Sequence, residues 1–98
     1  MKILRKNLLF LLLLFCAHIT TAQTTTISGK VTDSSGFPLT GATVLVKGTK
    51  TAAAADENGN YTIKTEKGKT LIFTFMGFIT KELLVTNQEN LNVTLQDD

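Results

Sequence analysis

The 98-residue sequence carries ten basic and eight acidic residues, a formal net charge of +2, and is 43% hydrophobic. Three of the basic residues, with the only cysteine, histidine and arginine, fall within residues 1–22, so the remainder holds seven basic against eight acidic residues, a net charge of −1. Residues 23–98 are thereby denied disulfides, thiol chemistry, imidazole bases and the usual zinc ligand sets, and this balance gives no support to a nucleic-acid or anionic-membrane partner.

The first predicted element is a secretory signal peptide over residues 1–22. Lys2, Arg5 and Lys6 precede an apolar run from Leu8 to Phe15, and small and hydroxyl residues follow at Ala17 and from Thr20 to Ala22. This is the charged, apolar, small-residue order of an export signal. The run is far shorter than the roughly 20 residues of a membrane-spanning helix. Cleavage between Ala22 and Gln23 puts Thr20 and Ala22 where the peptidase needs small side chains. Lipid attachment at Cys16 is the alternative, and the bulk of Phe15 before it argues against it.

Residues 23–98 are read as one β-domain. Its apolar residues recur with a period of two, and turn residues interrupt them every eight to twelve positions or so, the pattern of a sandwich. The first strand runs from Thr25 to Thr32 and ends in the turn Asp33-Ser34-Ser35-Gly36. Pro38 lacks an amide donor and keeps the connection Phe37 to Gly41 out of a central strand, with Leu39 plugging the sandwich end. A second strand, Ala42 to Lys47, turns Ala42, Val44 and Val46 to one face and stops at Gly48.

The alanine run makes Thr51 to Ala55 a weak strand, placed at a sheet edge, with Thr51, Ala53 and Ala55 as a candidate docking edge for a partner strand. Asp56-Glu57-Asn58-Gly59-Asn60 is the clearest turn, because Asn-Gly suits positive φ. Tyr61 to Thr65 returns from it with Tyr61 and Ile63 inward. Thr70 to Met76 is the most apolar strand and places Leu71, Phe73 and Phe75 on one face. Gly77 interrupts it, Phe78 to Thr86 forms the sixth strand, and Leu91, Val93 and Leu95 mark the seventh. The expected architecture is an all-β, seven-stranded, antiparallel Greek-key β-sandwich preceded by a signal-peptide helix.

The runs Ile27-Ser28-Gly29-Lys30-Val31-Thr32-Asp33, Gly36 to Val44, Gly48-Thr49, Asp56 to Tyr61 and Phe73 to Phe78 together resemble the carboxypeptidase regulatory-like domain. More narrowly, they resemble the version behind the signal peptide of SusC/RagA-type TonB-dependent outer-membrane receptors. The resemblance spans residues 25 to 96 and implies a transthyretin-like sandwich. It makes Gly36, Pro38, Gly41, Gly48, Asp56, Gly59 and Gly77 its motif turn residues. Ala52 and Ala55 depart from it, standing where the family usually shows glycine and threonine. In the receptors an energy-coupling segment, a plug and a barrel follow this domain, whereas this sequence ends at Gln96-Asp97-Asp98, so it is not expected to transport anything by itself.

No catalytic, cofactor or metal site is expected. A transthyretin-like hydrolase of a purine breakdown product relies on histidine and arginine, which residues 23–98 lack. Asp33, Asp56, Glu57 and Asn58 carry oxygen ligands suited to calcium, but these residue types also initiate turns, and their spacing is not that of an EF-hand. Ser34 and Ser35 have no base beside them in sequence. Phe73, Phe75, Phe78 and Tyr61 read as core rather than as a sugar-stacking platform, which leaves Phe37 and Phe78 as the aromatics for an exposed contact. Asn92-Val93-Thr94 forms a glycosylation sequon inside a predicted strand.

The resulting expectation is a non-catalytic, exported accessory domain. It would be the N-terminal periplasmic module of a TonB-dependent nutrient-uptake receptor, meeting protein partners of the uptake machinery at the outer membrane. The alternative is a free-standing envelope module that binds glycan or a partner strand.

Overall fold

The computed structural model describes residues 24–98; the signal sequence, Cys16 and the Ala22–Gln23 junction lie outside the described residues. Seven strands follow in chain order: β1 (Thr24–Thr32), β2 (Thr43–Val46), β3 (Ala52–Ala54), β4 (Asn60–Glu66), β5 (Thr70–Thr74), β6 (Lys81–Leu84) and β7 (Val93–Thr94). They form a three-stranded sheet of order β4-β1-β7 and a four-stranded sheet of order β3-β2-β5-β6.

The period of two explains the packing. Ile27 and Val31 of β1, Tyr61 and Ile63 of β4, and Val93 of β7 are buried from one sheet. Val44 and Val46 of β2 and Leu71 and Phe73 of β5 are buried from the other, joined by Val85 just beyond β6. Phe73 is fully buried, and the Tyr61 ring meets it edge-on at 5.5 Å and 76°, a favoured aromatic geometry. Leu39 is buried after the first loop. Among the described residues no buried side-chain polar atom lacks a partner. The core of the described residues is drawn from side chains between Ile27 and Leu95.

Three expectations are corrected. The sandwich is not wholly antiparallel, because β7 runs parallel to β1 through Val31↔Val93 and Thr32↔Thr94. A parallel neighbour needs a long crossover, and β2 to β6 together supply it. The fifth strand ends at Thr74 rather than Met76, and the sixth begins at Lys81 rather than Phe78. The chain between them turns, with the Phe78 N–H donating to the Phe75 carbonyl. The C-terminal residues also compete for this backbone: Ile79 donates to Gln96, and Asp98 donates to Gly77. Finally, the last strand is only Val93–Thr94, because Leu91 is diverted to another contact.

Candidate functional site

Two five-residue loops are built alike at one end of the sandwich. In each, an aspartate carboxylate oxygen accepts two backbone N–H groups at 2.9 Å: Asp33 from Ser35 and Phe37, and Asp56 from Asn58 and Asn60. The aspartate N–H then donates to the fifth residue's carbonyl, and the aspartate carbonyl accepts from the glycine at the fourth position, Gly36 or Gly59. Asp33 and Asp56 thus hold turns with the oxygens a cation would need. Glu57 and Asn58 are exposed within the second loop, and Ser34 and Ser35 within the first.

The loops meet through the segment between them. The Val31 N–H donates to Gly59, the Leu39 N–H donates to Val31, and the Thr40 hydroxyl donates to Glu57. Gly59 has φ +81°, and a Cβ there would lie 2.7 Å from the Val31 carbonyl oxygen and 2.9 Å from Pro38 Cβ, so both conformation and space demand glycine. Of the other motif residues, Gly41, Gly48 and Gly77 occupy turns with positive φ, and Pro38 makes an isolated bridge to Thr32.

A site of close approach that the strand pattern concealed lies at Gly29. Its absent side chain would point to the same face as Ile27 and Val31, and a Cβ would fall 1.9 Å from the Leu91 carbonyl oxygen. Tyr61 is the register partner of Gly29 on β4, and its hydroxyl donates to that same carbonyl at 2.5 Å. The Leu91 N–H donates to Ser28, and Asn92 Oδ1 accepts from the Lys30 N–H. Burial pushes the Tyr61 phenol up to about 12. An inward glycine opposite an aromatic residue was the available signal, since an aromatic can cover the gap a glycine leaves.

The aromatics separate by exposure. Phe73 and Tyr61 are core; Phe75 and Phe78 are half-buried and meet edge-on at 5.6 Å; Phe37 is 68% exposed. Met76 and Ile79 are exposed beside Phe78.

The candidate docking edge is refined by hydrogen-bond direction. β3 does lie at a sheet edge. However, Thr51 accepts from Val46 through its carbonyl and donates its N–H to Thr49 Oγ1, while Ala55 donates to Ala42 and accepts from Gly41. Ala53, midway between them and opposite Val44, faces β2 by alternation, so the outward backbone groups are those of Ala52 and Ala54. At the edge of the other sheet, β4 is longer. The Val31–Gly59 bond sets the alternation there, which turns Tyr61, Ile63 and Thr65 toward β1 and Thr62, Lys64 and Glu66 outward.

Beside the far end of β4 opens a cleft of about 450 Å³, with Val46, Thr49, Thr51, Thr65 and Lys69 among its lining residues. The net charge hides an uneven distribution. Lys50, Lys64, Lys67 and Lys69 gather at this end of the sandwich with Glu66 and Glu89, and Lys47 is paired with Glu82 at 2.9 Å. Asp33, Asp56 and Glu57 occupy the opposite end. Among the described residues no group of three His, Cys, Asp or Glu side chains is arranged to hold a metal, and no helix is long and apolar enough to cross a membrane.

Comparison with known proteins adds lineage to this geometry. A family model described as the CarboxypepD_reg-like domain matches residues 27–98. TonB-dependent receptor P3 of Formosa agariphila is 38% identical over 95 residues, covering 95% of this chain and 10% of that receptor. TonB-dependent receptor SusC of Bacteroides thetaiotaomicron is 40% identical over 77 residues, 79% of this chain and 8% of that receptor. The chain thus spans about a tenth of the curated relatives it matches. Among solved structures, a type II cohesin–X–dockerin complex from Acetivibrio cellulolyticus contains a similar chain, with a TM-score of 0.58, 28% identity, and coverage of 74% of this chain and 58% of that one.

Proposed function

This chain belongs to the CarboxypepD_reg-like domain family, and on that premise we propose that it is a non-catalytic accessory module of a TonB-dependent uptake receptor, acting by protein contact. The observation that carries the proposal is the similarity over 95% of the chain to a tenth of a TonB-dependent receptor. That span is longer than residues 24–98, so it also takes in most of the leader. Residues 1–22 act as an export signal cut between Ala22 and Gln23, leaving the sandwich in the periplasm, N-terminal to the receptor's plug and barrel at the outer membrane. Contact rather than turnover fits a domain whose two best-organised aspartates hold turns and whose serines have no histidine to activate them.

Following the reading frame and adjoining genes past the Asp98 codon tests this directly. The proposal expects plug and barrel sequence there. A neighbourhood free of any TonB-dependent receptor component contradicts it.

A further inference from the structure

The unpaired edge of β4 and the cleft beside it lie together at the lysine-rich end of the sandwich. Thr62 and Lys64 direct both N–H and C=O away from β1, Glu66 directs its N–H there while its carbonyl accepts from the Lys69 N–H, and among the described residues no other strand pairs with β4. β3 stops at Ala52, leaving the cleft open between this edge and Val46, Thr49 and Thr51. Lys64, Lys69 and Glu66 line it, and Lys50 and Lys67, next to lining residues in the chain, leave this end net positive.

We propose that this groove receives an extended, acidic segment of a partner protein, added as a further strand along β4. A strand laid there satisfies the outward backbone groups. Its alternate side chains divide between the two faces of the sheet. Those on the inner face cover the exposed Thr49 and Thr51 at the mouth of the cleft. Those on the outer face stand beside Lys64, where a carboxylate makes an opposite-charge cross-strand pair. An extended peptide fits better than a flat anionic surface, because the unpaired groups are backbone groups in a row beside a concavity. The inference deepens the contact reading above and rests on it.

The probe is an end-capped peptide of alternating Glu and Val, about eight residues long to match β4. It is titrated into the ¹⁵N-labelled chain while amide shifts are followed. The expected result is saturable shifts at Thr62, Lys64 and Glu66 and at Thr49 and Thr51. Affinity should fall at least about tenfold between ~0.1 and ~1 M salt as the screening length shortens from about 10 to about 3 Å. The same peptide with Gln for Glu should bind at least about tenfold more weakly.

Lys64→Pro removes an outward N–H that bonds nothing in the ladder, so the fold survives and the β4 shifts disappear. Lys69→Glu weakens binding without touching the strand, and serves if the proline variant fails to fold. Absence of β4 shifts, equal binding of the Gln peptide, or binding only to vesicles with about a third anionic lipid would each overturn the proposal. If the probe fails while the domain still crosslinks to a receptor component through another face, only this inference falls and the contact reading stands.

Discussion

Gly29, Tyr61 and Leu91 form a lock whose parts depend on one another. The missing Cβ of Gly29 lets the Leu91 carbonyl come in, and the Tyr61 hydroxyl, reaching from the partner strand, satisfies it. Gly29→Ala would force a Cβ into backbone, and should cost more than about 3 kcal/mol. Gly36→Ala meets nothing within 4 Å and is strained only by its φ of +88°, so roughly 1–2 kcal/mol is expected. Urea unfolding midpoints of the two variants test that ordering. Tyr61 also makes stability depend on alkaline pH. Its folded-state ionisation lies near 12 against 10.0 in the unfolded chain, so the contribution is whole below pH 10 and lost as pH rises toward 12. The loss amounts to roughly 1–2 kcal/mol after allowance for solvent screening of the phenol. Denaturation of wild type and Tyr61→Phe across pH 9 to 12 should show the wild type alone losing this increment.

At the scale of elements, the turns were more legible in the sequence than the strand ends. The pattern Asp-x-x-Gly occurs at 33–36 and at 56–59, and both copies fold into the same hydrogen-bonded loop. That chemistry is local, so neighbouring residues determine it. Asp33→Ala and Asp56→Ala each lose two accepted N–H bonds whose donors can turn to water, so about 1 kcal/mol apiece is expected. The Asp56 change should cost more, because Gly59 in its loop is wedged against Val31 and Pro38. Chemical denaturation of both variants measures this. Strand ends are set by distant partners instead. Phe75 to Thr80 has the composition of strand, yet Gln96 to Asp98 take its backbone groups. A period of two tells which face a residue takes and not which way its neighbour runs, which is why the parallel β1–β7 pair could not be read in advance. The docking edge was hidden for a related reason. The alanines of β3 announce a weak edge, but only the hydrogen-bond alternation shows that β4 offers the longer free one.

Across the whole molecule, a net charge of −1 after residue 22 conceals two poles. The carboxylates of Asp33, Asp56 and Glu57 cap one end, and at the other Lys64, Lys69 and Glu66 line the cleft with Lys50 and Lys67 beside it in the chain. Opposite poles orient a small domain on a partner and speed its encounter more than they tighten it. Contact through the lysine end is the central claim, and photo-crosslinking in the producing cells tests it most directly, with the reactive side chain at Lys69 or, as the control, at Ser34 in the loop at the acidic pole. The predicted result is an adduct from position 69, absent from position 34, in which mass spectrometry identifies a component of a TonB-dependent uptake system. Adducts from position 34 alone, or from neither position, would contradict it.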